Sequence, residues 1–119
     1  MNGKAAGVFN GKIFVRKDAQ KTNAYQSNKN ILLSADASVN TKPQLEIFAD
    51  DVKCSHGCTI GQLDEDALFY LQSRGVPQQI AQSLLVRAFA TDILEHITPK
   101  AIHHYVEQLI SQRLEYDLA

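Results

Sequence analysis

The stretch Val52–Leu71, VKCSHGCTIGQLDEDALFYL, decides how the rest of the 119-residue chain is read. Up to His56 the pattern has a period of two: Val52, Cys54 and His56 fall on one side of an extended segment, Lys53 and Ser55 on the other. From Asp64 onward the period lengthens, and Ala67, Leu68 and Leu71 share one face of a helix. Both cysteines and one of the four histidines lie on this seam. Chemistry, if the chain carries any, is expected here.

Working back from the seam, residues Gly3–Gly61 read as short strands divided by polar turns. Ile13 and Val15 alternate with Lys12, Phe14 and Arg16. Ile31-Leu32-Leu33 is a buried run, and Leu45, Ile47 and Ala49 alternate with Gln44 and Glu46. Asn10-Gly11 is the one hairpin signal, placed to join Val8-Phe9 to Ile13–Val15. Asn23, Asn28, Asn30 and Asn40 suit corners, because asparagine tolerates left-handed backbone. Short strands, polar corners and few hairpins fit stacked β-solenoid coils, with a small sandwich or meander as the alternative.

Working forward, Asp64 is a helix cap with Glu65 and Asp66 in the first turn, and Gly75 suits the exit of that helix. Pro77 opens a second helix, whose apolar side is expected to carry Ile80, Leu84, Ala88, Ile93, Leu94 and Ile97. Thr98 and Pro99 begin a third, with a stripe of Ile102, Tyr105, Val106, Leu109, Ile110 and Leu114. The expected division is 1–61 for the strands and 62–119 for the helices.

Composition narrows the function classes. Hydrophobic residues make up 45% and charged residues 21%, an ordinary globular mix. The net charge of −1 argues against a general nucleic-acid binder. No apolar run is long enough to span a bilayer, and the N-terminus lacks the apolar core of a signal peptide, so a cytoplasmic location without membrane association is the expectation. Residues 1–61 hold 8 basic and 5 acidic side chains, and residues 62–119 hold 4 and 8. Two ordinary solvated faces account for that asymmetry better than a basic partner does.

Cys54, His56 and Cys58 have the chemistry of soft-metal ligands. On an extended strand the two cysteines lie roughly 13 Å apart at ~3.3 Å per residue, beyond the ~7 Å reach of a disulfide. A bend at Gly57 would shorten that distance, but reduced thiols are the simpler reading. One ion cannot easily take all three side chains, so a site would borrow ligands from another strand or subunit. His96, His103 and His104 read as helix-surface residues, and Asp64, Glu65 and Asp66 as a helix N-terminus. No phosphate-binding loop, nucleophile elbow or HExxH motif is present. The chain offers no self-sufficient active site.

The tracts TKPQLEIFADDVKCSHG (Thr41–Gly57) and GQLDEDALFYLQSRG (Gly61–Gly75), within a similarity running from about Gly7 to Gly75, resemble the C-terminal region of the SufB/SufD family. The CSHG version is more similar to the SufD branch. Members of this family belong to the SufBCD iron–sulfur cluster assembly complex and are much longer than this chain, which therefore resembles only the end of one. The resemblance implies the terminal coils of a right-handed parallel β-helix followed by a small three-helix C-terminal domain. It implies a non-enzymatic scaffold that pairs with SufB through the β-helix and docks the SufC ATPase through its helices. His56 matches the CSHG histidine implied at the SufB interface, Cys54 matches the cysteine beside it, and Cys58 falls where the family commonly has a small residue.

By the same resemblance, no cofactor is expected to be held stably by this stretch. Transient iron or an iron–sulfur cluster would sit at the SufB interface, and flavin is associated with the full complex. An exposed solenoid end would favour a homodimer. The competing class is a small metal-binding or redox protein using Cys54, His56 and Cys58 within one chain. A solenoid acyltransferase should show hexapeptide repeats, and none are visible.

Overall fold

The computed structural model describes residues 1–118 and has a mixed β and α architecture. The chain divides into two compact units, Met1–Gln62 and a second that begins at Leu63. The first holds four strands, β1 (Ala6–Val15), β2 (Asn23–Leu32), β3 (Ser38–Ile47) and β4 (Lys53–Gln62). They form two small parallel sheets, β1 with β3 and β2 with β4. Parallel neighbours need a long crossover. Here β2 lies within the crossover from β1 to β3, and β3 within the crossover from β2 to β4. The register runs from Ala6 opposite Ser38 to Val15 opposite Ile47, and from Asn23 opposite Lys53 to Leu32 opposite Gln62.

Period-two patterning gives β1, β2 and β3 a covered row, whereas β4 is exposed except at Cys54 and Gly57. Gly7, Phe9, Gly11, Ile13 and Val15 alternate with exposed residues in β1, as do Val39, Thr41, Pro43 and Leu45 in β3. Pro43 is tolerated because β3 pairs along one edge only. The corners are tied by hydrogen bonds to one another. The Asp51 N–H donates to Gln20 Oε1 at 2.9 Å, the Lys21 N–H to the Asp51 carbonyl at 2.6 Å, and the Lys53 N–H to the Thr22 carbonyl at 2.8 Å. Small side chains fill these bends, with Ala37 and Ala49 buried.

Two expectations for this unit are corrected. No hairpin forms at Asn10-Gly11, because β1 runs straight through it with every residue from Ala6 to Val15 matched on β3. Gly11 permits a close approach instead: a Cβ there would collide with the Gln26 amide and come within 2.8 Å of the Phe9 ring. Nor are Asn28, Asn30 and Asn40 corner residues, since they lie inside β2 and β3. The left-handed corner residue is Lys21, at φ 62°.

The second unit holds α1 (Glu65–Ser73), α2 (Gln78–Leu94) and α3 (Lys100–Leu118). Asp64 caps α1, its Oδ1 accepting from the Asp66 N–H at 2.9 Å and the Ala67 N–H at 3.3 Å. At the other end Gly75, at φ 87°, reverses the chain. The Val76 N–H then reaches the Leu71 carbonyl and the Gly75 N–H the Gln72 carbonyl, the paired bonds of a Schellman cap. Pro77 stands just before α2 rather than inside it.

α2 packs against both α1 and α3. Its covered face differs from the expected one. Ala81 and Leu94 are buried, and Leu85, Val86 and Phe89 are half-buried, whereas Ile80, Leu84, Ala88 and Ile93 are exposed. α3 likewise turns Val106, Ile110 and Leu114 inward and leaves Ile102, Tyr105 and Leu109 outside. The apolar stripes of both helices are wider than a two-helix contact covers, so each is split between a packed and an open face.

Replacing Asp64 with Ala is expected to cost about 1 kcal/mol through the lost cap, read as a lower denaturation midpoint by helical circular dichroism. Gly11→Ala is expected to cost about 1–3 kcal/mol through overpacking, read as faster amide exchange in β1 and β3.

Candidate functional site

The candidate site is built on β4, whose residues alternate between two faces. Cys54, His56 and Cys58 share one row, opposite Ala24, Gln26 and Asn28 of β2 in register. That this row carries side chains of both strands together is shown at Cys58, whose Sγ lies 3.8 Å from Asn28 Oδ1. The same sulfur is 2.7 Å from Thr41 Oγ1 of β3, so the row of one sheet meets that of the other. Asn30 Nδ2 donates to Asn28 Oδ1 at 2.7 Å and to the Thr59 carbonyl at 3.2 Å.

Strands of this kind usually bury Val, Ile and Leu. Here β2 turns three amides, Gln26, Asn28 and Asn30, toward the β4 row. The sequence did contain the signal, since Gln26, Asn28 and Asn30 alternate with Tyr25, Ser27 and Lys29, but a polar row does not look like the covered face of a strand. Gln26 Oε1 is buried with no hydrogen-bond partner.

Cys54 is half-buried, and both cysteines are free thiols. His56 is exposed, with no hydrogen bond or ion pair among the described residues. Among those residues no three His, Cys, Asp or Glu side chains converge to hold one ion. Cys54, His56 and Cys58 stand along one strand: His56 is exposed and Cys54 half-buried, and Cys58 is exposed with its sulfur against Thr41 and Asn28. The helical histidines are dispersed: His96 Nδ1 lies 2.8 Å from the Asp92 carbonyl, and His104 lies beside Glu107 and Gln108 on α3.

Two open hollows lie elsewhere. One, about 700 Å³, is lined by Phe14, Arg16, Lys17 and Phe48, with the two rings 5.3 Å apart. The other, about 460 Å³, runs along α3 between His104 and Gln112. Neither includes a residue of the β4 row.

A paired-sheet unit with a Cys-x-His strand, followed by three helices with open apolar faces, is the class of structure to be placed. The family profile described as the SUF system FeS cluster assembly SufBD core domain matches residues 1–89, and the chain belongs to that family. It is 48% identical over 111 residues to the iron–sulfur cluster assembly protein SufD of Escherichia coli, covering 93% of this chain and 26% of that protein. It is 50% identical over 109 residues to an iron–sulfur cluster assembly SufBD family protein of Synechocystis, covering 92% and 24%. The SufD protein of Bacillus subtilis is 29% identical over 115 residues, covering 97% and 26%. The chain thus spans about a quarter of the length of these curated relatives. No helix among the described residues is long and apolar enough to cross a membrane.

Exposure orders the two thiols. Iodoacetamide is expected to alkylate Cys58 before Cys54, resolved by peptide mass spectrometry at partial labelling. Equal rates would mean that Cys54 is as open as Cys58.

Proposed function

We propose that this chain acts as a non-catalytic scaffold piece in iron–sulfur cluster assembly, contributing the end of a right-handed parallel β-helix and a helical docking unit. The observation that carries this reading is the β4 row. It sets Cys54 and an unpartnered, exposed His56 together on a strand whose second edge is unpaired. An imidazole and a thiol so placed supply part of a metal shell and leave the rest to a facing chain. The match to an FeS cluster assembly core domain supports iron or a nascent cluster as the cargo, and we take SufB as the chain that completes the shell.

The helical unit supports the second half of the reading. Ile80 and Leu84 of α2 and Ile102, Tyr105 and Leu109 of α3 are all exposed. So much open apolar surface on so small a unit marks an interaction site. We assign the SufC ATPase to these faces. Transmission of the ATPase cycle to the Cys54–His56 strand is then the work of the scaffold, and a second copy of the chain is the competing occupant of the open strand edges.

Titration calorimetry of the chain against SufC is expected to give saturable binding that Ile102→Glu with Tyr105→Glu abolishes while circular dichroism stays unchanged. A well-folded chain that releases no heat with SufC would overturn the docking assignment. His56→Ala is expected to lower the iron or cluster retained on the complex with SufB by roughly tenfold or more, by analogy with the loss on removing a metal site's supporting group. Retention equal to wild type would remove His56 from the site.

A further inference from the structure

We propose that Gln26 is a positioning residue for His56, its side-chain carbonyl fixing which ring nitrogen of the imidazole carries the proton. The inference rests on the ligand reading of His56 for its purpose, but not for its geometry. Gln26 and His56 are register partners in the parallel pair of β2 and β4. Adjacent strands run about 4.8 Å apart, and register partners project to the same side. One step along that row, Asn28 and Cys58 demonstrate the consequence with an Oδ1···Sγ contact of 3.8 Å.

Two unmet requirements fall on this register step. Gln26 Oε1 is a buried acceptor without a donor, a costly state for an amide oxygen. His56 is exposed and has no hydrogen-bond partner among the described residues to hold its ring. The Gln26 amide is itself held from behind: its Nε2 packs against Gly11, where a side chain of any size would displace it. Gln26 is therefore backed by β1 at Gly11, and a rotation of the imidazole that carried a ring N–H to the Gln26 oxygen would meet both requirements.

Metal-bound histidines ordinarily donate their second ring nitrogen to an oxygen acceptor, which fixes tautomer and orientation. With one N–H directed to Gln26 Oε1, the other nitrogen presents its lone pair outward, where a cation shared with a facing chain would be met. Gly11, Gln26 and His56 then form one chain of support running from β1 through β2 to β4.

The test reads the tautomer without metal, so it stands or falls separately from the ligand role. Long-range ¹H–¹⁵N correlation spectra of the full chain, with the His56 ring assigned by His56→Gln, are expected to show a single protonated ring nitrogen. Gln26→Met keeps the length and removes the acceptor, and is expected to shift both ring nitrogens toward a tautomer mixture. Gln26→Glu keeps an oxygen in place and is expected to restore the single form. Identical His56 nitrogen shifts in wild type and Gln26→Met would overturn the proposal. Should Gln26→Met not fold, the stronger acceptor in Gln26→Glu must still move the ring N–H downfield, and an unmoved signal overturns it equally.

Discussion

The first unit depends on one constraint, the in-register parallel ladder between strands that are not neighbours in sequence. β1 meets β3 only after the chain has laid down β2, and β2 meets β4 only after β3. Neither sheet is complete until the other is partly built. Hydrogen-bonded corners tie the two sheets' connections together, since Gln20 and Lys21 bind Asp51 and Thr22 binds Lys53. A slip of one residue would turn the Cys54–His56–Cys58 row to the opposite face and bring Lys53 and Ser55 in its place. The ladder fixes the chemistry as well as the fold.

Much of this was legible because periodicity is a local property. The change from a two-residue to a helical period, the Asp64 cap and the Gly75 exit are all written in neighbouring residues. Asn10-Gly11 misleads for the same reason: as a dipeptide it favours a turn, and only the distant partners Lys42 and Pro43 hold it extended. Asn28 and Asn30 mislead similarly, because a polar residue in a strand looks like a corner until its cross-strand partner is known. The helical stripes were visible, but which half of each packs against the neighbouring helix depends on tertiary geometry. Cys54 and His56 stood out by residue type and by family resemblance; Gln26, two strands away in chain order, had nothing local to distinguish it.

The packing leaves both units with slender cores. Among the described residues the well-buried hydrophobic side chains are Val15, Ala37, Ala49, Ala81, Leu94 and Leu114, half of them alanine. Larger groups such as Phe14, Phe48, Phe69 and Tyr105 remain on the surface. Apolar area is therefore spent at the periphery, where a facing protein can cover it, and the backbone ladder carries a large share of the order in the strand unit.

Only Leu63 and Asp64 separate the end of β4 from the first turn of α1. Consider a load applied to β4 along its own axis. Loaded in that direction, the ten matched positions of β2 and β4 resist in shear and share the force, instead of opening one after another like a zipper. The strand that bears His56 is thus held along its whole length rather than at its ends.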